Sequence, residues 1–258
     1  MDLPDVQLEL IAAVRNGEIF ALYQPQVSSL TGELAGVECL VRWRHPERGV
    51  LNPAEFLPTV EDNEDIIQLL GETVLRQACR DAAAWPGLFI GMNISPVQFR
   101  LPDLADRIVA IAEEARFPLN RIELEILETS YFENPDHMRE VLSGFRKLGV
   151  CIALDDFGTG YSSLAALLEL PLDKLKIDAE FVHKFDDIRS ASVIHAIVAL
   201  ARAIGLKVTA EGVETEQQRS FLRSSGCHFL QGYLFSKPVV ADVITQMIAA
   251  GKVSPQLN

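Results

Sequence analysis

Residues 88–127, LFIGMNISPVQFRLPDLADRIVAIAEEARFPLNRIELEIL, carry the reading on which the fold turns. Two apolar runs, 88–95 (LFIGMNIS) and 121–127 (RIELEIL), flank a segment of helical period at about 103–116. A strand, a helix and a second strand of these lengths form a crossover, which leaves both strands pointing the same way. The unit repeats outward in both directions. Runs at 150–155 (VCIALD), 172–177 (LDKLKI), 206–211 (LKVTAE) and 227–233 (CHFLQGY) follow it, and 20–26 (FALYQPQ) and 36–43 (GVECLVRW) precede it. Further helical patterns lie at about 64–84, 136–147, 190–204, 215–224 and 240–250. Only the link between the first two strands, VSSLTGELA, is too short for a helix; it reads as a hairpin through Thr31-Gly32. Eight strands in this alternation predict an α/β fold, a closed (β/α)8 TIM-like barrel whose first strand is antiparallel to the rest. An open doubly wound sheet is the alternative, but its GxGxxG fingerprint after the first strand is missing.

No Ser/Gly/Pro-rich linker interrupts the 258 residues, so a single domain, 1–258, is expected. Hydrophobic residues at 48% and charged residues at 23% exclude a disordered or fibrous chain. A net charge of −13 opposes binding to a nucleic-acid polymer, which needs a basic field to displace counterions. It leaves room for one phosphate-bearing ligand held through metal ions. Cys39, Cys79, Cys151 and Cys227 form no CxxC pair, so neither a disulfide framework nor a zinc knuckle is signalled, and a reducing cytoplasm is the expected location. The first residues, MDLPDVQLEL, are acidic, and no apolar stretch reaches the roughly 18–20 residues needed to span a bilayer. Neither a signal peptide nor a membrane segment is expected.

Side chains alternate across a strand, so polar residues at every second position choose one face. In 88–95, Leu88, Ile90, Met92 and Ile94 face the helices and leave Phe89, Gly91, Asn93 and Ser95 inside the barrel. In 121–127, Ile122, Leu124 and Ile126 face out, and Glu123 and Glu125 face in. Val37, Cys39, Val41 and Trp43 face out of the second strand, against Gly36, Glu38, Leu40 and Arg42 inside. Asp155 shares a face with Cys151 and Ala153, and Glu211 with Thr209. Most inward polar residues stand near the carboxyl ends of their strands, where barrel enzymes place their chemistry: Asn93, Glu125, Asp155 with Asp156, Lys176, Glu211 and Gln231. Glu38 joins them if the second strand ends soon after it. One polar strand end is an ordinary solvated terminus. Acids and amides on five strands sharing one rim demand a cation, because crowded buried carboxylates repel one another.

All-oxygen donors point to magnesium or manganese rather than zinc or copper. His45, His137, His183, His195 and His228 show no metal-binding spacing. The adjacent Asp155 and Asp156 can serve two ions at once, the arrangement of two-metal centres that cleave phosphate esters. The stretch after them, FGTGYSS (157–163), lacks the GxxxxGK[ST] phosphate cradle and reads as a glycine-hinged lid or interface loop.

Eight segments then fall into one pattern. Tyr23-Gln24-Pro25, Glu38-Cys39-Leu40-Val41-Arg42-Trp43, Asn93-Ile94-Ser95, Glu125-Ile126-Leu127-Glu128, DDFGTGYSSL at 155–164, Leu175-Lys176-Ile177-Asp178, Ala210-Glu211-Gly212-Val213-Glu214 and Gln231-Gly232-Tyr233 together resemble the EAL-domain cyclic di-GMP phosphodiesterases, over about residues 6–250. The resemblance implies hydrolysis of cyclic di-GMP to linear pGpG by a water activated between two Mg2+ or Mn2+ ions. It implies one ion on Glu38, Asn93, Glu125 and Asp155, and a second on Asp155, Asp156 and Glu211. The implied catalytic residues are Glu38, Lys176, Glu211 and Glu214, with Lys176 beside the attacking water. The implied substrate contacts are Gln24, Leu40, Arg42, Asn93, Asp156, Glu214 and Gln231, and Glu128 would anchor the glycine-rich loop. A homodimer is implied, as is attachment to sensor or cyclase domains in a longer protein.

Two positions depart from the family pattern. Cys39 stands for alanine, facing the helices, and should matter little. Leu127 stands for threonine on the inward side, where a hydroxyl able to hold the loop is missing. Two other functions compete: a non-catalytic receptor that holds the intact dinucleotide, and a Mg2+-dependent lyase or aldolase on the same barrel.

Overall fold

The chain reverses at Gly32, whose φ of +72° lies in the left-handed region that glycine enters freely. This turn joins β1 (Ile19–Ser28) to β2 (Leu34–His45) as an antiparallel pair with Gln24 opposite Glu38. The protein is seen in a computed structural model that describes residues 3–127, 134–158 and 164–251. Glu128 and residues 159–163 of the glycine-rich loop lie outside the described residues.

After β3 (Gly49–Leu51), the strands β4 (Phe89–Ile94), β5 (Ile122–Leu127), β6 (Cys151–Phe157), β7 (Lys174–Ile177), β8 (Lys207–Ala210) and β9 (Phe229–Gln231) pair in sequence. Neighbours from β2 through β4 to β9 are parallel, and β9 returns to β1 antiparallel, which closes an eight-stranded barrel with the first strand reversed, as expected. β3 is a short addition on the far edge of β2.

The second strand does not stop after Glu38. It runs on to His45, yet its parallel pairing with β4 covers only Gly36 to Cys39. Beyond Cys39 the strand leaves the barrel wall to pair with β1 and β3, so Glu38 still stands at the rim.

The longer helices around the barrel are α2 (Glu64–Ala82), α3 (Leu104–Glu114), α4 (Pro135–Lys147), α7 (Ile188–Ala203), α8 (Glu216–Ser225) and α9 (Ala241–Ala250), each within a few residues of its sequence pattern. Their starts are set locally. The Asn63, Asn134, Asp187 and Thr215 side chains each accept a hydrogen bond from a backbone N–H in the first turn. α1 (Leu3–Arg15) was not anticipated, and α5 (Leu164–Glu169) and α6 (Ala179–His183) are too short to show a period. Leu10 and Ala13 of α1 join Trp43, Phe56 and Leu70 in a cluster beside the main core. The main core lies between barrel and helices, where Ile90, Ile122, Leu124, Ile126, Ile152, Leu154, Leu175 and Val208 are fully buried. Each such side chain contributes about 1.5–3 kcal/mol, so the outer layer holds the barrel and frees its polar mouth for chemistry. Among the described residues no helix is long and apolar enough to cross a membrane.

Candidate active site

Five strands of the barrel deliver carboxylates or amides to the mouth at their carboxyl ends. β2 brings Glu38, β4 Asn93, β5 Glu125, β6 Asp155 and β9 Gln231, while Glu211 directly follows β8. At their centre is Lys176 of β7, 1% exposed. Its Nζ makes an ion pair with Glu125 Oε2 and lies 2.6 Å from Glu211 Oε1, 3.1 Å from Asp155 Oδ1 and 4.0 Å from Glu38 Oε2.

Glu38 is held from two sides: Asn93 Nδ2 donates to its Oε1 at 2.8 Å, and Gln231 Nε2 donates to its Oε2 at 2.6 Å. Gln231 Nε2 also lies 3.2 Å from Gln24 Oε1, so an amide chain runs from β1 through β9 to the acid. Gly91 makes the room that Glu125 needs, because a Cβ there would overlap Glu125 Oε1.

Adjacent residues of a regular strand point to opposite faces, which would send Asp156 away from Asp155. The chain avoids this. The β6–β7 register slips between Leu154 and Phe157, and Asp156 adopts φ +54°, a left-handed conformation costly to a residue with a Cβ. The Asp156 N–H donates to Asp155 Oδ1 at 2.9 Å. As a result Asp155, Asp156 and Glu211 present ligand atoms within 4.8 Å of one another.

Burial drives the electrostatics. It pushes Asp156 up to about 6, with Asp155 and Asp178 adding to the effect. It pushes Glu211 up to about 8 while Lys176 pulls the other way. For Lys176 burial opposes the charge, but Glu125, Glu211, Glu38 and Asp155 outweigh it and hold the ammonium well above the usual lysine range. Carboxylates raised in this manner are short of positive charge. Glu125 Oε1, buried with no hydrogen-bond partner, is an orphaned acceptor in the same place. A hard divalent cation fits this all-oxygen set.

Not every expected residue joins the cluster. Glu214 is exposed and faces His183 Nε2 at 3.8 Å, outside the ring of acids. Leu40 is half-buried. Arg42 is 8% exposed, donates from Nη1 to the Val41 carbonyl at 2.8 Å, and has its pKa lowered by burial against the opposing pull of Glu38 and Tyr233. Leu127 stands opposite Asp155 and is 36% exposed. Cys39, 3% exposed, packs in the core on the helix side, the face its alternation indicates. Asp178, which caps α6 two residues beyond Lys176, has no role among those the resemblance implies, yet its charge acts on Asp156.

A family model described as "EAL domain" matches residues 7–238. A signaling protein of Caulobacter vibrioides is 41% identical over 247 residues, covering 94% of this chain and 30% of its own. The cyclic di-GMP phosphodiesterase NbdA of Pseudomonas aeruginosa is 40% identical over 248 residues, covering 94% of this chain and 32% of its own. The solved PaMucR phosphodiesterase, in complex with c-di-GMP, superposes with a TM-score of 0.87 at 37% identity, over 93% of this chain and 99% of that one. The chain thus spans about a third of the length of these curated relatives.

Proposed function

From a chain that belongs to the EAL domain family, we propose an enzyme that hydrolyses one phosphodiester of cyclic di-GMP to give linear pGpG, using two divalent cations, Mg2+ or Mn2+. The observation that carries the reading is the convergence of Glu38, Glu125, Asp155 and Glu211 on one point of the barrel mouth, with Asp156 turned to join them. Glu38, Asn93, Glu125 and Asp155 would hold one cation, and Asp155, Asp156 and Glu211 the other. When bound, the cations would supply Lewis acidity toward the phosphate and lower the pKa of a water.

The chain's own groups do the rest. The three donors of the Lys176 ammonium meet Glu125, Glu211 and Asp155; one of them, turned from its acid, would orient a water beside the phosphate and steady the charge that develops there. Gln24 and Gln231 fix the Glu38 carboxylate in place and offer amide groups to a purine or ribose. The Arg42 guanidinium, near enough to Glu38 to feel its charge, could donate twice to phosphate oxygens. Glu214 stands outside the ring of acids and would meet substrate from the rim. Catalysis of this kind depends on placement, and the rigid barrel supplies it.

Incubation of the purified chain with cyclic di-GMP and Mg2+ or Mn2+ should release pGpG. Tight binding of the intact dinucleotide with no turnover in either metal would reassign the chain as a receptor. The working unit would be a homodimer with contacts near the glycine-rich loop and neighbouring helices, and it would be joined to sensor or cyclase domains in a longer protein; Leu168 of α5 and Ile188 of α7 are 62% and 83% exposed. Sedimentation of the purified chain tests the dimer.

A further inference from the structure

We propose that Lys176 is a built-in counter-cation, and that divalent ions enter the site in competition with its ammonium rather than with its help. The inference rests on the reading of this mouth as a two-cation centre and adds how it loads.

Three observations carry it. The ammonium is 1% exposed and touches or approaches carboxylates from four separate parts of the barrel, at Glu38, Glu125, Asp155 and Glu211. Among the described residues, carboxylate ligand atoms close to within 4.8 Å of one another at Asp155, Asp156 and Glu211; Glu38 and Glu125 are tied to that group through the ammonium instead. Finally, Asn93 turns its Nδ2 to Glu38, so its amide spends its donor on a carboxylate whose other oxygen is already engaged by Gln231. Lys176 thereby bridges the very donors that the first cation set requires.

Physical consequences follow in two directions. Without a positive charge at this point, the buried Glu38, Glu125 and Asp155 and the half-buried Glu211 would repel one another or take up protons, so the ammonium lets the mouth fold before any metal arrives. A divalent ion taken up by these same carboxylates would be repelled by the ammonium they already hold. The site then gains an assembled geometry before loading, at the expense of metal affinity. Lys176 is a positioning residue in this respect, whatever it does for the attacking water.

The test measures metal binding and stability, with no turnover involved. Lys176→Met should bind Mn2+ about tenfold more tightly by calorimetry than the unaltered chain, because a unit and a double charge drawn to the same carboxylates repel appreciably even at the effective dielectric of a buried protein site. Its melting temperature without metal should fall by several degrees, and Mn2+ should raise it by more than it raises that of the unaltered chain. Lys176→Arg, which keeps the charge, should restore both values toward the original. Equal or weaker Mn2+ binding by Lys176→Met would overturn the proposal. Should Lys176→Met fold only when Mn2+ is present, that dependence supports it. For the unaltered chain, the 15N resonance of the Lys176 ammonium should shift on titration with Mg2+ as its carboxylate partners are drawn away, and a resonance that stays put through saturation would also overturn it. A chain that behaves as expected yet leaves cyclic di-GMP intact would sink the hydrolase reading and leave this one standing.

Discussion

At position 91 the barrel has no room for a side chain, because the carboxylate of Glu125 fills the space where a Cβ would stand. Gly91→Ala should displace Glu125 Oε1, lower stability by about 1–3 kcal/mol as overpacked interiors do, and weaken Mn2+ binding as well. Calorimetry and denaturant unfolding on the same variant would separate the two losses, and unchanged metal affinity would show that Glu125 is not a ligand. Two neighbouring residues test the assignment of faces. Glu38→Ala should abolish turnover, whereas Cys39→Ala should leave it nearly unchanged and lower stability by about 1 kcal/mol. Similar loss of activity in both would contradict the burial of Cys39 on the helix side. At Asp156 the left-handed backbone matters as much as the carboxylate, since it is what brings the second of two adjacent aspartates to the mouth.

At the scale of elements, β5 and β7 carry two acid–lysine pairs stacked along the barrel axis. Glu125 and Lys176 meet at the mouth; Glu123 and Lys174, two residues earlier on each strand, meet at 2.5 Å near the opposite end. Lys174 Nζ also lies 3.9 Å from the Phe89 ring centre and 4.6 Å from that of Phe229, which sit at the starts of β4 and β9. With side-chain exposures of 3% and 2%, Lys174 and Glu123 close the bottom of the barrel and take no part in the site. Lys174→Met should destabilise the fold by about 3–5 kcal/mol, because it strands a buried carboxylate, and adding Glu123→Met should recover most of that loss. Denaturant midpoints of the single and double variants decide the matter. Metal affinity should be unaltered in the double variant, which distinguishes this lower pair from the upper one.

For the molecule as a whole, the closed barrel makes the site an assembly of distant segments. Glu38 and Gln231 are bonded across 193 positions of the chain, and Lys176 meets Glu125 across 51. Chelation of divalent ions should therefore abolish turnover while far-ultraviolet circular dichroism stays constant, because the apolar layer outside the strands and Lys176 within the mouth keep the scaffold assembled. Addition of Mg2+ or Mn2+ should restore the rate. Collapse of the dichroism on chelation would show that the metal, rather than the core, holds the barrel.

Alternation along a strand is a local property with a period of two residues, so the inward set of Asn93, Glu125, Asp155 and Glu211 could be read from the chain alone, as could the hairpin and the order of strands and helices. So could the clustering of oxygen donors at the mouth, which depends only on residue type and strand face. Tertiary structure decided what depends on register and stagger around a closed sheet. The slip between Leu154 and Phe157, the left-handed turn at Asp156 and the departure of β2 from the barrel wall after Cys39 have no local signature. Nor does the place of Lys176, which the strand pattern puts inside the barrel without saying how many acids it meets. That number follows from the convergence of four separate segments on one axis, a long-range packing result that no single stretch of the chain encodes.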